Sequence, residues 1–213
     1  MNKIVLSVLL FSAVFCNARP DDPEVTKRMK EDDIIPDVIS EDVPDLLEIT
    51  FATGITANLG NEITPTEAQF EPKFNWKADP NKYYFLVTLD PDAPGPDDPF
   101  NALLNTHMVG NIPGKDVSSG DVIFEYLPPA TPKGVGFNRY ASLIFEQPEK
   151  LDFDIEHIDD RHFEGRQNFD LEKVVSDYNL GEPLFGNFYK SQYDDSVLLT
   201  YKKLNCCIEY NKP

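Results

Sequence analysis

Cysteine is nearly absent, with three in 213 residues, and that excludes a disulfide framework. Cys16 lies in an amino-terminal apolar run, which leaves Cys206 and Cys207. A bridge between neighbours closes a strained ring, so this pair reads as free or as a link to another chain. No C-x-x-C spacing occurs, so there is no zinc or thioredoxin signal. Histidine is equally scarce, at three. There is no H-E-x-x-H, no G-x-S-x-G elbow and no Gly-rich phosphate loop. His157 and His162, five apart in the charged stretch HIDDRHFEGR, are poorly spaced to share a metal, so no metal site or cofactor is expected. No N-x-S/T sequon is present, and no period of 20 to 50 residues repeats, which sets aside solenoids and propellers.

Positive charge is also in deficit. Nineteen Lys and Arg against 37 Asp and Glu give a formal charge of −18, which argues against nucleic acid and anionic lipid as partners. Only one long apolar run exists, Ile4 to Phe15, and it is too short to span a bilayer. Lys3 precedes it and Cys16-Asn17-Ala18 follows, the pattern of a signal peptide over residues 1–18 with cleavage before Arg19. The competing reading is an uncleaved anchor. Cleavage takes away Lys3 alone among charges. The expected product is a secreted, extracellular, acidic protein without a membrane span, and a monomer.

What is present is β-forming. The 18 Pro and 11 Gly favour many turns over long helices. Residues 19–46 read as an acidic, Pro-dotted lead-in with a short helix near Glu24–Asp33, touching the core through Ile34, Ile35 and Val38. Residues 47–213 read as a single domain. Leu47, Ile49 and Phe51 alternate with polar residues, as do Phe70, Pro72, Phe74 and Trp76. Tyr83–Leu89 is a continuous apolar run, hence a central strand. Met108–Val109, Val122–Tyr126 and Tyr140–Phe145 predict further strands. Leu171, Val174, Val175 and Tyr178 predict a helix started by Asn168 or Asp170 and ended by Gly181. Val197–Leu204 predicts a terminal helix. The fold class is mainly β, and several short strands at this spacing suggest a sandwich or a barrel.

The informative segment is DPDAPGPDDP at 90–99. Asp90 and Asp92 lie two apart at the mouth of a buried strand and could line a pocket from one side, or could simply cap turns. That segment, with NIPG at 111–114 and PKGVGFNRYASLIFEQ at 132–147, resembles the phosphatidylethanolamine-binding protein family. Further matching pieces are IIPDVI at 34–39, GNEITPTE at 60–67, ADPNKYY at 78–84, YNLGEPLFGNFY at 178–189 and YDD at 193–195. The resemblance runs from about residue 34 to 204. It implies a non-enzymatic, mainly β fold, a large antiparallel β-sandwich with a few short peripheral helices and a small end-on pocket for phosphate-like anions and phospholipid head groups, in a family of ligand-binding regulators that includes inhibitors of proteases and kinases.

Carried over by residue, the resemblance implies a ligand site at Asp90, Asp92, Pro94, Pro132, Tyr140 and Tyr201, with Thr131 in place of a second proline and Arg139 beside the pocket. Thr106 and Asn138 stand where the family carries its two pocket histidines. Those replacements keep hydrogen bonding but remove the cation, so anion binding is expected to weaken. His107 lies one residue along the strand and is expected to face the other way, in place of a core aromatic. Three functions follow as expectations: a secreted carrier of a small polar, amphipathic or phospholipid-like ligand; a protease inhibitor or other interaction protein with a vestigial pocket; and, least favoured, a hydrolase using Asp90, Asp92 and His107.

Overall fold

The computed structural model describes residues 23–204. The expected signal peptide and the Cys206–Cys207 pair lie outside the described residues.

A six-stranded sheet carries the fold. Its strands are β1 (Asp45–Leu46), β4 (Tyr83–Asp90), β5 (Leu104–Pro113), β6 (Asp121–Phe124), β7 (Asn138–Gln147) and β8 (Phe185–Ser191), in the order β1-β8-β7-β4-β5-β6. All neighbours pair antiparallel except β1 and β8, which run parallel at one edge. A two-stranded sheet, β2 (Glu48–Thr50) with β3 (Lys73–Asn75), pairs Ile49 opposite Phe74. The expected sandwich is therefore present, and its large sheet is open and mixed at that edge.

The sequence YYFLVTLD explains the middle of the sheet. Its aromatic and β-branched residues suit a pleated surface, and both faces are covered, so apolar residues run without alternation. Tyr84 and Leu86 join Leu47, Ile49, Phe74 and Trp76 in a core under the small sheet. Phe85, Val87 and Leu89 join Met29, Ile34, Phe145 and Leu171 in a second core on the other face. The helices that cover it are α1 (Glu24–Glu31), α2 (Ile34–Asp37) and α3 (Leu171–Asp177). Asp170 caps α3 by accepting a hydrogen bond from the Lys173 amide at 2.9 Å.

Several expectations need correction. Residues 185–191 form an interior strand, β8, which lacks the alternation that would mark it because both its faces are buried. β5 spans ten residues, far beyond Met108–Val109. Phe70 does not continue the alternation of Phe74 and Trp76; it is 69% exposed. After α3 the chain turns at Asn179, which takes φ 51°, ahead of Gly181. The lead-in is tied into the fold, since Met29, Ile34 and Val43 are fully buried and β1 pairs with β8. The terminal helix, α4, occupies Val197–Leu204 as expected.

Candidate functional site

A cavity of about 250 Å³ opens where β4, β5 and β7 converge under α4. Asp90 is the last residue of β4 and Asn138 the first of β7. Thr106 reaches the wall through a bulge. Thr88 pairs with His107 and Leu89 with Asn105, so Thr106 is the unpaired extra residue between them. Asp90, Pro94, Thr106, Pro132, Asn138, Tyr140 and Tyr201 all line this cavity, so seven of the eight expected positions meet there.

Asp92 is the exception. Its carboxylate is turned to Arg139, accepting from the amide at 2.8 Å, from Nε at 2.9 Å and from an Nη at 2.7 Å. Asp37 takes a further Arg139 donor at 2.8 Å and the Asp32 carbonyl another at 2.9 Å. Burial works against the Arg139 guanidinium, but Asp92 and Asp37 outweigh it and hold the pKa above the ordinary value. Fully engaged, Arg139 is no part of the cavity wall, and among the described residues that wall carries no Lys, Arg or His.

Asp90 is 1% exposed. One oxygen accepts the Asp92 amide at 2.8 Å, the turn-capping role, and the other accepts Asn138 Nδ2 at 2.9 Å. Burial nevertheless dominates. With the Asp92 charge adding to it, burial lifts the Asp90 carboxyl to about 7 against those two hydrogen bonds. The remaining wall hydroxyls are committed within the protein. Thr106 Oγ1 donates to the Thr88 carbonyl at 3.1 Å, Tyr201 to the Ala130 carbonyl at 2.9 Å, and Tyr140 pairs with Thr131 at 3.1 Å. Thr131 thus holds a wall tyrosine in place. Asn138 Oδ1 is different: it is buried and has no hydrogen-bond partner in the protein.

The rest of the wall is largely apolar, and most of it escaped sequence reasoning. Phe100, Leu104 and Leu127 line it, as do Phe163 and Gln167 from the charged stretch after β7. One aromatic in HIDDRHFEGR was the available signal for Phe163. Arg166 gave none. It is 0% exposed and its guanidinium donates to the carbonyls of Asn105, Glu125, Ile158, Asp159 and His162. It thereby fixes the segment that carries Phe163 and Gln167. Burial pushes the Arg166 pKa down to about 10, leaving the side chain charged at neutral pH.

His107 faces away from this cavity, as its position predicts, and stacks on Phe74 with ring centres 6.0 Å apart. Burial, with Arg166 adding, pushes its pKa down to about 3, so it is neutral. A catalytic trio of Asp90, Asp92 and His107 does not assemble: one lines the cavity, one binds Arg139 and one lies in a different pocket. His157 and His162 are exposed surface side chains.

The family model for phosphatidylethanolamine-binding protein matches residues 48–189. A Drosophila melanogaster relative, putative odorant-binding protein A5, is 37% identical over 191 residues, covering 89% of this chain and 91% of its own length. The solution structure of CG7054 is 31% identical with TM-score 0.66, covering 81% of this chain and 98% of its own. Carboxypeptidase Y inhibitor, crystallised with its cognate proteinase, shares the fold at TM-score 0.67 and 20% identity, over 80% of this chain and 95% of its own.

Proposed function

The chain belongs to the phosphatidylethanolamine-binding protein family, and from that membership we propose that it is a secreted binding protein whose cavity takes a small amphipathic molecule, uncharged or amine-bearing, in place of a phosphate head group. The carrying observation is Asn138, a wall residue whose buried Oδ1 is an acceptor without a partner, in a cavity whose described lining residues include no cation. A buried acceptor left unpaired costs about 1–3 kcal/mol, which a ligand that donates a hydrogen bond recovers when the Asn138 amide turns toward the cavity. Asp90 beside it favours the same ligand. An alcohol or amide leaves it protonated, and an ammonium stabilises its charge. A phosphate meets neither need: its charge calls for cations or strong donors, and a carboxylate there opposes it.

The size agrees. About 250 Å³ exceeds the roughly 150 Å³ cavity that accommodates a benzene ring, so a ring with a short polar tail fits. The wall's apolar groups supply affinity and its polar end supplies orientation, the usual division in small-ligand sites. The similarity to an odorant-binding protein supports a ligand of this class. A protease-inhibitor role has only a shared fold behind it. The test is native mass spectrometry of the secreted protein, whose chain should begin near Arg19, followed by calorimetry with hexanol, hexylamine and inorganic phosphate. The expected result is that the two organic ligands bind and that phosphate does not. Tight phosphate binding together with indifference to both organic ligands would overturn the reading.

A further inference from the structure

A second cavity, of about 430 Å³, lies on the other side of α4 from the first. The helix and one loop residue divide them: Tyr201 and Leu204 face the first cavity, Thr200 and Lys203 face the second, and Pro128 borders both. The floor of the second is aromatic. His107, 1% exposed, lines it, with Tyr126 edge-on to the imidazole at 5.7 Å and 89°. At the lip, Phe70 and Val122 are 69% and 46% exposed, apolar side chains on a strongly acidic protein.

The charge of the walls is one-sided. Glu71, Glu125 and Asp160 line the cavity, and Lys203, the one cation among the described residues that line it, is paired with Asp160. Arg166 sits behind the wall, its guanidinium spent on carbonyls. Glu71 is the informative group. Its neighbour is His107 Nε2 at 3.5 Å, and burial has stripped that imidazole of charge. Half-buried and with no cation beside it among the described residues, the Glu71 carboxyl is held above the ordinary carboxylate range by its partial burial. His107 Nδ1, on the far side of the same ring, has no hydrogen-bond partner. Glu125, on the opposite wall, accepts the Asp160 amide at 3.1 Å and lies 3.8 Å from His157 Nε2, so Glu71 is the wall carboxylate left, among the described residues, with no donor other than a neutral imidazole.

We propose that this cavity is a second ligand site, for an organic ammonium ion carried on an aromatic or short apolar body. The ammonium meets the carboxylates of Glu71 and Glu125. The body lies against Phe70 and Val122, with the Tyr126 ring offering a π face to the cation. The proposal stands apart from the reading of the first cavity, because no charged residue is shared between the two walls.

The probe is phenethylamine, added to the full secreted protein near neutral pH and followed by amide NMR shifts and calorimetry. 3-Phenylpropanol and 3-phenylpropionate serve as the neutral and anionic analogues. Shifts are expected at Gln69–Glu71, Val122–Tyr126 and Lys203, strongest for the amine and absent for the acid. Glu71→Gln with Glu125→Gln should weaken amine binding about tenfold, since two half-exposed charge pairs are lost. Both glutamates are half-exposed, so the variant should fold, and its melting curve checks that. Asn138→Leu, which alters the first cavity, should leave these shifts unchanged. Amine shifts confined to residues of the first cavity, equal shifts of Gln69–Glu71 and Val122–Tyr126 by the alcohol and the amine, or an unaltered affinity read from those shifts in the double variant would each overturn the proposal. Amine shifts lost in Asn138→Leu would reassign the binding to the first cavity.

Discussion

Two buried titratable groups pull stability in opposite directions with pH, and separating them tests the electrostatics of the site. Asp90 rises from 3.8 to about 7 on folding, and His107 falls from 6.5 to about 3. Each unit corresponds to about 1.4 kcal/mol, so each shift costs the folded state roughly 4 to 5 kcal/mol when its group is charged. Between about pH 4 and 6.5 the unfolded chain has ionised Asp90 and protonated His107, whereas the folded protein holds both neutral. As pH rises through that window, Asp90 lowers stability by about 1.4 kcal/mol per unit, and His107 raises it by the same amount. The two contributions cancel in the wild type. Above pH 7 the full cost of Asp90 is present, and that of His107 is gone.

Asp90→Asn keeps the shape. Its oxygen still accepts the Asp92 amide, and its new NH₂ donates to Asn138 Oδ1 once the Asn138 amide rotates. The variant minus wild-type stability should therefore climb by about 1.4 kcal/mol per pH unit from pH 4 to 7, to a gain of up to about 4 kcal/mol at pH 8. His107→Phe preserves the stack on Phe74 and should show the reverse. Relative to wild type, it gains most at low pH and nothing above pH 7. Urea midpoints read from Trp76, the single tryptophan and 4% exposed, supply the data. Taking differences from wild type removes the shared titration of the surface carboxylates. Difference curves that run flat across the window would refute the account of both groups.

Two other substitutions test the cavity and its support. Thr106→His with Asn138→His should create phosphate binding near pH 6 that fades as pH rises through the new imidazoles' range, measured by calorimetry. No gain in that variant would show that the missing cation is not what excludes the anion. Arg166→Met should lower the unfolding free energy by about 3–5 kcal/mol, because it strands buried carbonyls now served by one guanidinium. An unchanged denaturation midpoint would contradict the keystone role drawn for Arg166.

The sequence by itself determined the β architecture and one wall of the site. β4 was legible because an unbroken run of aromatic and β-branched residues has few homes other than a strand covered on both faces. α4 was legible because its apolar spacing allows one buried stripe. Thr106 and Asn138 were picked out by motif position, and both line the cavity. Only the tertiary structure decided where the charges went. Asp90 and Asp92 look equivalent in DPDAPG, yet one is buried against Asn138 and the other is claimed by Arg139, a partner 47 residues away. Arg166 reads as one more surface charge in HIDDRHFEGR, and the fold encloses it among carbonyls brought together from β5, the residue after β6 and the loop after β7. Such choices escape a linear reading because burial and partnership are set by distance in space. A side chain's charge state depends on neighbours that the chain delivers only after it has folded.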